Sequence, residues 1–467
     1  MSETGPTALP VLLPFRPAAG DLSRPYRHPH TLVTIRLAIL LVVQARVSWR
    51  AAQVILALCA GLRGAVLQRP CYATVRSWLL RLGLHLLRRP LERAGDWVVL
   101  IDHTIQLGRH KCLLVLGLPL AALRATGYAL RHHQVTVLAL EVMSRSTGEQ
   151  VAQVLRRARQ RVGRIAQVVC DRGADLLKGL RPLQQDDPAL VVSYDIRHLL
   201  AALLRAELRH DPRWAEFLRG CAAVLPKVRQ TSANFLAPPT LRQKARYMNL
   251  EGHVRWAEQL LAWEQGGQWA ALGQALGQSA EQARAWFDEH LGWLRALRQP
   301  LADYAGLLQV IGLAEAEVHT AGLSRQTAAA FWACWQGQAG PASWRVWQFA
   351  QRVRLRLQEE GGQVPAGQAW LGSSLVIESL FGTYKELVKR SPSGEMGPEV
   401  LLLPVLTAEV TNELVREALE TVSQAEVRAW LKEQLGESAQ ARKRELLGGT
   451  REAGGPEAEV EEGPIVA

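Results

Sequence analysis

The sequence predicts an α/β core built on a mixed five-stranded sheet with flanking helices, interrupted by a large all-α segment and preceded by a helical region. Three observations carry this. Short runs rich in Val, Ile and Leu cluster between residues 97 and 194, each of strand length. From about 197 to 365 such runs nearly vanish, and Trp214, Trp256, Trp263, Trp269, Trp286, Trp293, Trp332, Trp335, Trp344 and Trp347 fall among helix-period patterns. Residues 30–92 carry helix-period apolar positions with start signals at Ser48 and Pro70.

Bulk properties bound the function. A chain of 467 residues is long for one core and suits several domains. An apolar content of 48% excludes a wholly disordered protein. The 55 Lys and Arg outnumber the 43 Asp and Glu, and a net charge of +12 favours a polyanionic partner. The 6 cysteines are far apart, without zinc or redox spacing, so they read as reduced thiols. The apolar run "LAILLVV" (37–43) is far short of the roughly 20 residues a bilayer requires. Residues 1–28 are Pro-rich and broken by charge, unlike a secretory signal. A cytoplasmic protein without membrane contact is expected.

In chain order, residues 1–28 read as a flexible tail. Within 29–94, Ser48 is placed to cap "WRAAQVILALCAG" and Pro70 to open "CYATVRSWLLRLGLHLL", two helices in the arrangement of a helix-turn-helix DNA-binding region. Within 95–205, strands are predicted at 97–102, 111–118, 134–142, 165–170 and 189–194, with helices at 147–163 and near 174–183. Three consecutive strands, a helix and then strand-helix alternation is the order of an RNase H-like core. Its central strands bury both faces, which accounts for the unbroken apolar runs. Residues 206–366 are the Trp-rich helical insertion, 367–390 the closing helix of the core, 391–436 C-terminal helices and 437–467 a second tail.

The chemistry is carried by acids. "VVLIDHT" ends an apolar strand on Asp102, and "VVCDRG" ends another on Asp171. A buried carboxylate costs several kcal/mol without a partner. Polar groups beyond the carboxyl ends of neighbouring strands converge on one site in α/β sheets. A helix over 371–387 would place Glu378 mid-helix on the inward face shared by Leu371, Ser374, Leu375, Phe381 and Lys385. Three hard oxygen ligands suit Mg²⁺, with Mn²⁺ as substitute, and a pair of such ions suits cleavage and transfer of phosphodiesters. His103 alternates to the opposite sheet face from Asp102 and is not expected as a ligand.

These blocks resemble the DDE transposases of bacterial insertion sequences: "LIDHT" for the first Asp, "DRG" for the second and "IESLFGTYK" for the Glu. Glu378 and Lys385 are separated by six residues, similar to the E-(6)-K block of one large group. That group has a Tyr and an Arg seven and four positions before the Glu, where this chain has Leu371 and Ser374. "SYDIRHLL" presents Asp195 and His198 as D-x-x-H, similar to the C/DxxH motif of hAT-like transposases. The acids are separated by 69 residues (171 − 102) and by 207 (378 − 171), and several of these families carry an insertion between the second and third. The resemblance covers about residues 95–205 and 370–390.

It implies catalytic, metal-holding Asp102, Asp171 and Glu378. It also implies DNA-binding or cleft-shaping roles for Lys385, Asp195, His198 and Arg172, and a base-stacking role for Trp344 or Trp347. Arg156, Arg157, Arg159, Arg161 and Arg164 form a row that could follow a phosphate backbone. The implied partners are double-stranded DNA, as terminal inverted repeats and target, and a second copy of the chain in the synaptic complex at the nucleoid. The rival readings are an RNase H-like nuclease that does not transpose and a transposase-derived DNA-binding protein without catalysis.

Overall fold

The computed structural model describes residues 22–447, apart from 62–66 in part, 94, 108–109, 241–249, 339, 341, 390–395 and 438. The rest of both expected tails lies outside the described residues. Residues 22–28 lie against the body: the Tyr26 amide donates to Glu420 at 2.8 Å and Arg416 donates to Ser23 at 2.6 Å.

Among the described residues, five strands make one sheet in the order β3-β2-β1-β4-β5. They are β1 (Asp96–Leu107), β2 (His110–Pro119), β3 (Thr136–Met143), β4 (Arg164–Cys170) and β5 (Val191–Tyr194). β2 runs antiparallel to β1 and β3 antiparallel to β2, whereas β4 is parallel to β1 and β5 to β4. The middle strands are buried on both sides: Val98, Val99, Leu100, Ile101 and Leu113 to Leu116 are inaccessible to solvent. That double burial is why these strands read as continuous apolar runs.

Three helices precede the sheet: α1 (Leu32–Val43), α2 (Trp49–Arg63) and α3 (Tyr72–Arg88). The Ser48 hydroxyl accepts from the Ala51 amide at 3.1 Å, as expected of a cap. α4 (Leu120–Thr126) follows β2, α5 (Gly148–Val162) links β3 to β4, and α6 (Ala174–Asp186) links β4 to β5. α5 and α6 cover one sheet face through Val151, Leu155, Leu176 and Leu180, packed on Val99, Ile101 and Val168.

After β5 comes a run of helices: α7 (Ile196–Leu208), α8 (Pro212–Arg229), α9 (Glu251–Gln265), α10 (Trp269–Leu276), α11 (Ala280–His290), α12 (Arg298–Ala321), α13 (Thr327–Gln338) and α14 (Trp344–Gly362). They share one apolar cluster of their own, including Phe217, Phe287, Phe331 and Phe349. Trp214 and Trp335 are buried in it, and most other Trp of the region pack partly buried around it.

α15 (Leu375–Val388) returns to the other sheet face, where Ile377, Leu380 and Phe381 join Leu100, Leu114 and Leu116. α16 (Leu402–Leu406), α17 (Asn412–Thr421), α18 (Gln424–Leu435) and α19 (Ala439–Leu447) close the chain. α1–α3 form a joint core with α16 and α17 through Trp78, Leu79, Leu402, Val405 and Leu419. α3, the helix expected to enter a DNA groove, is therefore buried along most of its length, with Tyr72 exposed at its start. No described helix is long and apolar enough to cross a membrane.

Two sequence expectations change. β1 does not stop at Asp102 but continues to Leu107, paired only with β2, while its pairing with β4 ends at Leu100. The helix expected over 371–387 starts at Leu375, so Leu371 and Ser374 precede it and Glu378 stands in its first turn rather than mid-helix. Tertiary hydrogen bonds hold the preceding segment out of the helix: Gln167 bonds both the amide and carbonyl of Leu371, and the Ile196 amide donates to Gly372.

Candidate active site

Register puts the first two acids side by side. Leu100 of β1 pairs with Val169 of parallel β4, and Asp102 and Asp171 each stand two residues further on. Asp171 leaves the sheet through a turn in which Arg172 has φ +58°, the left-handed region that costs a non-glycine residue on the order of 1 kcal/mol. The Gly173 amide donates to Asp171 Oδ1 at 2.8 Å, so Asp171 closes the turn instead of capping α6. A Cβ on Gly173 would come within 3.2 Å of the Asp171 and Asp175 carboxylates.

Asp102 accepts one hydrogen bond, from the His103 amide at 2.6 Å. Burial, then the neighbouring Asp171 carboxylate, push its carboxyl up to about 7. Glu378 also acts on it, as the smallest of these contributions. Glu378 itself is raised, first by burial. Its Oε2 accepts from Arg197 at 3.0 Å, while its buried Oε1 has no hydrogen-bond partner. An acid in the first turn of a helix is favoured by the helix dipole, a structural reason for its place that the unpartnered oxygen exceeds.

Asp195 differs from its neighbours. It is fully buried at the end of β5 and caps α7, its Oδ1 accepting from the Arg197 and His198 amides at 2.8 and 3.1 Å. Its Oδ2 accepts from the amide and hydroxyl of Ser374. Against the cost of burial, the bonds and charge of His198 and then Ser374 hold its carboxyl below the ordinary range. His198 Nδ1 lies 3.3 Å from Asp195 and 3.8 Å from Glu378. Against burial, which opposes it, Asp195 and then Glu378 raise the imidazole to about 9.

Asp195, His198 and Glu378 form, among the described residues, the set whose ligand atoms lie within 4.8 Å of one another. Asp195 already accepts four hydrogen bonds, and the neighbouring carboxylates favour the protonated imidazole of His198, which would have to give up that proton to hold a cation. The donors with hydrogen-bonding capacity left are the carboxylates of Asp102 and Asp171 and Oε1 of Glu378, which accepts no hydrogen bond and lies 3.8 Å from His198 Nδ1. These are hard oxygen donors of the kind a divalent cation takes, and such a charge would relieve the repulsion that raises Asp102, but as a trio they do not show the 4.8 Å mutual spacing that Asp195, His198 and Glu378 do.

The other predicted residues divide. Lys385 lies two turns beyond Glu378 and acts on its charge, with its ammonium 5.8 Å from the Phe381 ring. Arg172 turns away into a pair with Glu360 at 2.7 Å and stacks 4.9 Å over Tyr194. Trp344 and Trp347 stack on each other at 4.8 Å, exposed by 67% and 37%, at the start of α14. They stand ~24 and ~20 Å by helix rise from Glu360 at its other end. Of the arginine row, Arg157 pairs with Glu141, Arg161 donates to the Leu138 and Arg89 carbonyls, and Arg164 pairs with Asp96 and Asp187. His103, on the opposite face, meets Ser146 at 3.0 Å and Asp175 at 3.6 Å, and burial and Lys111 lower it to about 4.

Sequence reasoning missed Arg197, Glu315 and Glu360, and it set Ser374 on a helix face rather than as a donor to Asp195. Arg197 lies inside D-x-x-H and pairs with Glu378 and, at 3.6 Å, with Glu315 of α12. The buried Gln167 in "IAQVVC" was the one polar signal that a neighbouring segment docks there.

No family model and no curated protein matches the chain. Among solved structures it is similar to the Drosophila P element transposase strand transfer complex, at 12% identity over 83% of this chain and 94% of that one, with a TM-score of 0.41.

Proposed function

We propose that the chain is a DDE transposase: an RNase H-like core with a helical insertion that cuts DNA at the ends of its element and joins them to target DNA. The carrying observation is the β1–β4 register, which sets Asp102 beside Asp171, with Glu378 near enough to act on Asp102. The sheet order and the separate core of α7–α14 support the fold reading.

Asp102, Asp171 and Glu378 would hold Mg²⁺, or Mn²⁺ in its place, which supplies activation of the attacking oxygen and stabilisation of the leaving oxygen. The chain's own residues do the rest. Asp195 fixes His198, and His198 with Arg197 holds Glu378 in the first turn of α15. Positive charge at Arg197, His198 and Lys385 offsets the charge of Glu378. Element ends, target duplex and a second copy of the chain complete the reaction in this reading.

Labelled DNA carrying the gene's own flanks, with Mg²⁺ or Mn²⁺, provides the test. The parent cleaves at the flanks, and Asp102→Asn or Glu378→Gln loses on the order of 10³-fold, more than the 10–100-fold typical of positions behind the ligands. Cleavage without joining would favour a nuclease. A folded parent that binds the flanks but never cuts would leave a DNA-binding protein.

A further inference from the structure

We propose that Glu360, contributed by the last helix of the insertion, is a positioning residue that sets the geometry of Asp171. This rests on the reading of Asp171 as a metal-holding acid.

Glu360 is 3% exposed near the end of α14. Both its oxygens accept from Arg172 Nη2, at 2.7 and 2.9 Å, and Oε2 also accepts from the Tyr194 amide at 3.0 Å. Arg172 immediately follows Asp171, and Tyr194 immediately precedes Asp195. One carboxylate from the insertion therefore ties together the tips of β4 and β5 where two site acids leave the sheet. Arg356, one turn earlier, lies 3.8 Å from Glu360 and adds positive charge to the pair.

The coupling to Asp171 runs through the backbone. Arg172 sits at φ +58°, a conformation that persists in a non-glycine residue only when its surroundings hold it. Its guanidinium is held twice, by Glu360 and by the face of Tyr194. The same turn aims the Gly173 amide at Asp171 Oδ1 and so commits that oxygen to a hydrogen bond. A movement of α14 is thereby a movement of Asp171, and the helical body and the acids are one mechanical unit.

Manganese binding by the full-length protein, followed by the loss of the free-ion electron paramagnetic resonance signal, tests this alongside thermal melting. Glu360→Gln keeps an acceptor for the Tyr194 amide and removes the charge. It is expected to raise half-saturating Mn²⁺ about tenfold. Arg172→Lys, which keeps the charge without the fork, is expected to do the same, and the double variant to be no weaker than either single one. Arg345→Ala breaks the pairs with Glu207 and Asp211 at the far end of α14 and should leave Mn²⁺ affinity unchanged. Unchanged affinity in Glu360→Gln and Arg172→Lys, or equal weakening in Arg345→Ala, would overturn the proposal. A parent that binds no Mn²⁺ would instead overturn the reading of Asp171 on which it rests.

Discussion

Asp195, fully buried, and Asp102, partly buried, are acids of the same sheet, and they are solvated by the protein in opposite ways. Asp195 accepts four hydrogen bonds and faces His198, and its carboxyl is held low. Asp102 accepts one, faces another carboxylate, and is raised to about 7. The protein completes the first acid by itself and leaves the second incomplete. A satisfied buried charge holds structure, whereas an unsatisfied one costs stability that folding does not recover without a ligand.

The largest effect that separates them is on stability. Asp195→Ala orphans the Ser374, Arg197 and His198 amides and strands a charged His198 beside Glu378, and should destabilise by ~3 kcal/mol. Chemical denaturation without metal would read this directly. A loss below about 1 kcal/mol would break the comparison, because Asp195 would then be no better anchored than a surface cap.

Asp102→Asn should do the reverse. The folded protein keeps Asp102 protonated up to about 7, whereas the unfolded chain releases that proton near the ordinary carboxylate value. Between these values the native state binds more protons, so Asp102 lowers stability as pH rises from about 4 to 7. Removing the charge should stabilise the metal-free protein at pH 8 by on the order of 2 kcal/mol. Added Mg²⁺ should then raise the melting temperature of the parent and not of the variant. A variant less stable than the parent at pH 8 would show that Asp102 is a structural acid after all.

How much of this was legible in the sequence follows the same division. The strands were legible because burial on both sheet faces forces apolar runs, and Asp102 and Asp171 stood out as charges where those runs end. The start of α15 was not legible. Leu371 and Ser374 continue its apolar spacing, but Gln167 and Asp195, from 204 and 179 residues away, take the backbone and hydroxyl groups of that segment. Glu360 was hidden for a related reason: "RLRLQEEGG" looks like a solvated helix end, and its partner Arg172 is 188 residues distant. Local pattern reports burial by apolar neighbours, and it is silent on burial by a single charged partner.

His198 gives the smallest and most discriminating effect, since it touches both kinds of acid. Its imidazole is raised to about 9, so the native state holds its proton where the unfolded chain has lost it. The resulting stabilisation is complete below about 6.5 and disappears as pH rises through about 9. Part of the ring is open to solvent, which screens the pair, so the expected contribution is about 1 kcal/mol. His198→Gln should therefore flatten the stability profile between pH 6.5 and 9 while leaving the decline from pH 4 to 7 that Asp102 imposes. If the variant removes the lower-pH decline instead, the proton sits on the acids and not on His198, and Glu378 rather than Asp195 governs the network.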